Sequence, residues 1–85
     1  MKKEDLKRAL LNEKEKYESK TFDQLVKIDK PVTYECGSGK DWYQVEIQVL
    51  EKNDKYVHVV VSVDDGRLWR TILPLTSSFI VYKDK

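Results

Sequence analysis

At 85 residues the chain has room for one hydrophobic core, which predicts a single domain spanning residues 1–85. Its hydrophobic content of 40% and aromatic content of 11% are too high for a disordered chain. Lys plus Arg number 16 and Asp plus Glu number 15, so the chain lacks the basic excess with which proteins neutralise nucleic-acid phosphates. Composition therefore disfavours nucleic acid as a partner, and by itself it assigns no function.

The cysteine content and the N-terminus bear on where the protein works. Cys36 is the only cysteine, which excludes an intramolecular disulfide, whereas secreted domains of this size often carry several. Glu4 and Asp5 stand where a signal peptide would begin its apolar segment, and no apolar run approaches the ~20 residues of a membrane helix. We therefore expect a cytoplasmic protein with no membrane span.

Two helices are predicted before Pro31. Apolar positions three or four residues apart predict the first helix from Lys3 to about Glu18. Its predicted buried stripe consists of Leu6, Leu10 and Tyr17. Thr21 and Gln24 have the spacing of a capping box, which predicts a short second helix from Phe22 to about Lys27.

Beyond Pro31 the hydrophobic period changes from three or four residues to two, which is typical of strands. The predicted strands are Val32–Cys36, Trp42–Leu50, Tyr56–Val63, Leu68–Leu73 and Ser78–Tyr82. Because the connections are too short for crossover helices, consecutive strands should be antiparallel. The predicted fold class is α+β, with an N-terminal helix and a short second helix packed on a four- to five-stranded antiparallel meander sheet.

The predicted register decides which side chains face away from the helices. A three-residue loop at residues 52–54 would place Val49 opposite Val57 and give a consistent valine-rich buried face. After the third strand, either a two-residue turn at Asp65-Gly66 or a three-residue loop from Asp64 is possible. The longer loop buries Trp69 and leaves Arg70 outside, and we prefer it because an unpaired buried guanidinium is costly.

This register predicts a mixed apolar and polar outer surface, and its candidate partner-binding residues are Trp42, Tyr56, His58, Val60, Leu68 and Arg70. The chain's own fifth strand and termini could cover that surface, or the sheet could curl toward a barrel and hide it. Alternatively, a protein partner or a weakly associating second copy docks there, since Trp, Tyr and Arg are common binding anchors. We predict a non-enzymatic protein-interaction module.

Two other functions are compatible with the sequence. Glu46 is predicted to lie diagonally ~7 Å from His58. These two residues together with Arg70 would form a small-molecule-binding or hydrolytic site. Weak binding of single-stranded nucleic acid would instead use Trp42, Tyr56 and Arg70 as stacking surfaces. Cys36 and His58 supply at most two metal ligands, and residues 37–40 are too short for a phosphate-binding loop, so we expect neither a metal nor a cofactor.

Several stretches of the chain also carry a resemblance. The strings Asp41–Val49, Val61–Gly66 and Leu73–Ile80, together with Tyr17–Leu25, resemble a group of small uncharacterised bacterial proteins. The resemblance covers most of the chain and implies a bacterial, stand-alone cytoplasmic domain. It implies no activity and no catalytic residue.

Overall fold

A computed structural model describes residues 3–66 and 75–83 of the chain. Two helices precede four strands, and the strands form one antiparallel sheet in the order β1-β2-β3-β4. The elements are α1 (Lys3–Glu18), α2 (Phe22–Val26), β1 (Val32–Cys36), β2 (Tyr43–Lys52), β3 (Tyr56–Asp64) and β4 (Leu75–Tyr82). The predicted α+β class and the antiparallel meander are confirmed.

Both helices have the local signals that their sequences predict. α1 has its predicted bounds and buries Ala9 and Leu10 against the sheet, with Leu6 and Tyr17 half-buried beside the core. α2 begins at a complete capping box, in which the Gln24 N–H donates to Thr21 Oγ1 at 3.2 Å and the Thr21 N–H donates to Gln24 Oε1 at 2.9 Å. Neither helix of the described chain is long and apolar enough to cross a membrane.

The core lies between the two helices and one face of the sheet, which we call the inner face. Alternate strand residues point into it, and β3 alternates buried with half-buried positions along its whole length. The side chains with no exposed surface are Leu25, Val45, Ile47, Val57, Val59, Val61 and Val63. At about 1.5–3 kcal/mol for each buried side chain of this size, these residues provide most of the drive to fold.

The register of β2 and β3 differs from the predicted one. Val49 lies opposite Val59 instead of Val57, and the pairing shifts between Val49 and Glu51, where β2 contains a bulge. A two-residue slip keeps each side chain on its predicted face, so the valine-rich core is as expected. The bulge, however, places Glu51 on the outer face and turns Lys52 toward the helices.

The strand beside β3 also differs from the predicted one. β4 occupies this place, pairing His58 with Ile80 and Val60 with Ser78 in an uninterrupted register. The predicted neighbour of β3, Leu68–Leu73, lies outside the described residues, and so do Trp69 and Arg70. Because β4 extends the sheet sideways, the alternative in which the chain's own last strand covers the outer surface is wrong.

Candidate functional site: the outer sheet face

The face of the sheet opposite the helices, which we call the outer face, is formed by alternate residues of all four strands. Strand pairing assigns its members, and they run in rows across the sheet. The outer face comprises Thr33, Glu35, Gln44, Glu46, Gln48, Glu51, Tyr56, His58, Val60, Ser62, Asp64, Thr76, Ser78, Ile80 and Tyr82, with Trp42 just before β2.

One end of the outer face is aromatic and apolar. Tyr56 and Tyr82 lie opposite each other, with their ring centroids 6.0 Å apart in an edge-to-face arrangement. The Tyr56 hydroxyl donates to Glu51 Oε1 at 3.0 Å, and this bond to the carboxylate is the main reason that the pKa of Tyr56 is raised. Ile80 and Tyr82 are 45% and 67% exposed, so this end presents apolar surface to solvent.

Trp42 lies at the opposite end and is held by its own contacts. Its indole Nε1 donates to Glu35 Oε1 at 2.9 Å, across the β1–β2 connection. That connection depends on Gly37, which has a positive φ of 72° and where an added Cβ would clash with the carbonyl oxygen of Asp41. A short 3₁₀ turn at Gly39–Asp41 then leads directly into Trp42. The loop therefore fixes the position of the indole.

The described part of the outer face carries charges of one sign. It contains the carboxylates of Glu35, Glu46, Glu51 and Asp64, and no Lys or Arg among the residues that the structure describes. Glu51 joins this group because of the bulge in β2. The chain's formal charge of +1 thus conceals an acidic face.

The predicted site around His58, Glu46 and Arg70 is not brought together. Glu46 lies opposite Ser62, four residues along β3 from His58, which separates the two side chains by ~13 Å along the sheet instead of the expected ~7 Å. The carboxylate opposite His58 belongs to Glu51. Arg70 lies outside the described residues. The alternative of an acid–base pair formed by Glu46 and His58 is therefore wrong.

The structure places four of the six candidate partner-binding residues on the outer face: Trp42, Tyr56, His58 and Val60, each half-buried. Leu68 and Arg70 lie outside the described residues. Ile80 and Tyr82 were not predicted on this face, because Ser77 among the inward positions and Ile80 among the outward ones interrupt the alternation of polar and apolar residues along β4.

A second polar group lies on the inner face, where it ties α1 to the sheet. Glu13 is only 3% exposed, and it accepts hydrogen bonds from the Tyr34 hydroxyl and from Lys16 Nζ, the latter at 3.0 Å from Oε2. Burial, followed by hydrogen bonds to Glu13 and Tyr17, raises the pKa of Tyr34. The hydrogen bond to Glu13 also raises the pKa of Lys16. These contacts serve to position the helix.

Cys36 belongs to the same inner side and has no connection with His58. It packs against the core beside Tyr43, whose pKa is raised to about 12, chiefly by burial and then by its hydrogen bond with the thiol. Cys36 and His58 lie on opposite faces of the sheet. Within residues 3–66 and 75–83, no three His, Cys, Asp or Glu side chains converge as metal ligands.

Comparison with known families, curated proteins and solved structures finds no match to this chain. The resemblance to small bacterial proteins therefore stays a prediction.

Proposed function

We propose that the protein is a non-enzymatic interaction module whose outer face binds a protein with a basic surface. The observation that carries the proposal is the combination of exposed apolar side chains and four carboxylates on a face that neither α1 nor α2 covers. Ile80 and Tyr82 are exposed, and half-buried Val60 extends the apolar surface along β3 on the far side of His58. Aromatic and apolar anchors ringed by polar groups are typical of protein-binding surfaces.

The size of this surface suits a folded partner. Asp64 and Tyr56 are eight residues apart on β3, which corresponds to ~26 Å along the strand. A standard protein interface covers ~800 Å² on each partner and has similar lateral dimensions. One globular partner could therefore contact both the Trp42 end and the Tyr56 end.

The charges on this surface define the chemistry of the partner. Carboxylates on a docking surface repel nucleic-acid phosphates and a second acidic face, whereas they attract Lys and Arg side chains. This disfavours both binding of single-stranded nucleic acid and self-association face to face. It favours a different protein that presents basic residues around an apolar patch.

Affinity capture with matched variants tests the proposal. Val60→Arg places a cation in the centre of the outer face, and Leu11→Arg makes the same kind of change on α1, where Leu11 is 55% exposed. Both proteins and the wild type are immobilised and exposed to extract from the cells that make the protein. We expect a captured protein that Val60→Arg loses by at least about tenfold, equivalent to ~1.4 kcal/mol, and that Leu11→Arg retains.

The captured protein is then purified and titrated into ¹⁵N-labelled chain. Amide shifts that map to the outer face and weaken as salt rises would support the proposal. Shifts confined to α1 and α2, or equal capture by both variants, would overturn it. Oligothymidylate serves as the competing probe, and shifts of the Trp42 indole with this probe would favour the nucleic-acid alternative instead.

A further inference from the structure

Among the described residues β4 is an edge strand, and it lacks the charges that usually protect such strands. It is eight residues long, carries no charged side chain and pairs with β3 without a register shift. Edge strands are ordinarily protected from pairing with another chain by charges, by proline or by bulges. The other edge, β1, carries Glu35 and follows Pro31. In the part of the chain that the structure describes, β3 is the only strand that pairs with β4.

The hydrogen-bond pattern identifies which backbone groups of β4 face outward. The Lys83 N–H donates to the Lys55 carbonyl at 2.8 Å, and this pair continues the β3–β4 register. Because hydrogen-bonded and non-bonded pairs alternate in antiparallel sheets, the odd-numbered residues of β4 bond to β3. The N–H and C=O groups that point away from β3 belong to Thr76, Ser78, Ile80 and Tyr82.

We propose that β4 pairs antiparallel with β4 of a second copy, so that two four-stranded sheets join into one. One two-fold register pairs all four outward residues with each other, Thr76 with Tyr82 and Ser78 with Ile80 of the second copy. Its four pairs supply about eight backbone hydrogen bonds. This contact uses the backbone edge of β4, whereas the side chains of the same four residues lie on the outer face. It is therefore independent of the function proposed above.

Electrostatics favours a second copy at this edge. We call the contact between the two β4 strands the seam. Because β4 carries no charged side chain, pairing it with an identical strand leaves no unpaired charge at the seam. The nearest acidic strand of the outer face is β3, and the two β3 strands would lie three strand spacings apart, ~14 Å. This exceeds the ~8 Å Debye length at physiological salt, so the acidic faces can lie side by side with little repulsion.

Ser78→Pro is the sharpest test. The Ser78 N–H points away from β3, so proline removes a donor from the seam without breaking a bond to Val60. Ser78→Thr is the matched control because it retains the N–H. In sedimentation equilibrium from about 5 to about 500 µM, a range suited to small interfaces, we expect the wild-type mass to rise from 10.1 kDa toward twice that value. Ser78→Thr should follow the wild type, and Ser78→Pro should weaken association at least about tenfold.

Amide hydrogen exchange on the wild type tests the proposal independently of whether the proline variant folds. The amides of Ser77 and Phe79 should be protected at every concentration, whereas those of Ser78 and Ile80 should gain protection as concentration rises. A mass of 10.1 kDa throughout the concentration range overturns the proposal. So does a dimer that Val60→Arg abolishes and Ser78→Pro leaves intact, since that result places self-association on the outer face.

Discussion

The buried contact between Glu13 and Tyr34 leads to a quantitative prediction about stability. Tyr34→Phe removes the hydroxyl that donates to a carboxylate with 3% exposure, and it leaves Lys16 as the remaining donor to that carboxylate in the described chain. Nothing else about the side chain changes in size or shape. We expect a loss of about 1.5–3 kcal/mol, which is dominated by the hydrogen bond to a charged group because the other partner of the hydroxyl, Tyr17, is neutral.

The expected loss is large relative to the stability of a small domain. At ~0.05–0.15 kcal/mol per residue, a chain of this length should unfold with a free energy of roughly 4–13 kcal/mol. A loss of about 2 kcal/mol would then lower the melting temperature by about 8–16 °C. Glu13→Gln should also destabilise, and in the double variant the two losses should overlap by roughly 1–2 kcal/mol, because Gln turns the charged acceptor of the Tyr34 hydroxyl into a neutral one and Tyr34→Phe removes the donor of the same bond.

Urea unfolding followed by circular dichroism measures all four members of this cycle. Tyr56→Phe is the matched control, since it removes the same kind of bond from the exposed outer face, at 3.0 Å from Glu51, and should leave the midpoint unchanged. Strictly additive losses for Tyr34→Phe and Glu13→Gln would refute the reasoning, as would a Tyr34→Phe variant as stable as the wild type.

Three further predictions concern pH, a helix cap and a turn. Burial raises the pKa of Tyr34 in the folded chain, so its hydroxyl loses its proton in the unfolded chain at a lower pH than in the folded one. The contribution of Tyr34 to the free energy of unfolding is therefore complete below about pH 10 and is lost progressively above it. The unfolding free energy should fall by about 1.4 kcal/mol per pH unit for this group, and urea titrations of Tyr34→Phe should show a correspondingly shallower fall. Thr21→Ala removes the cap of α2 and should cost about 1 kcal/mol in the same assay; an unchanged midpoint would contradict the capping role. Gly37→Ala and Gly39→Ala both place a side chain at positive φ, which should lower the free energy of unfolding by about 1–2 kcal/mol in each case. Only Gly37→Ala adds a clash with Asp41, so this variant should melt at the lower temperature, and equal melting temperatures would contradict this account.

Local signals in the sequence predicted the local structure well. The periodicity of α1, the capping box at Thr21 and the extended residues after Pro31 gave bounds within one or two residues of those observed. Each of these features depends on neighbours a few residues away, which the sequence displays directly. The α+β class follows from the order of the elements, and the structure confirms it.

The register between strands was not predictable in the same way, because it depends on contacts far apart in sequence. The bulge in β2 needs no glycine, and nothing around Leu50 marks it. The contacts that favour the bulge are made by α2, which is far from β2 in the sequence. The bulge turns Lys52 to the helix side, where Nζ donates to the Val26 carbonyl at 2.8 Å and to Asp29 at 3.0 Å. A cation beside the last carbonyl of α2 is a favourable placement that only the folded chain reveals.

This single irregularity also alters the charge of the surface on which the proposed function depends. Without the bulge, strict alternation would place Lys52 on the outer face and Glu51 among the buried valines. With it, Glu51 lies opposite His58 and accepts the Tyr56 hydroxyl, while the cation contacts the end of α2. One inserted residue thus removes a positive charge from the outer face and adds a negative one. Glu35, Glu46 and Asp64 lie on this face independently of the bulge, but the bulge makes the face more acidic by two charges, and neither the net charge nor the hydrophobic pattern of the sequence conveys that contribution.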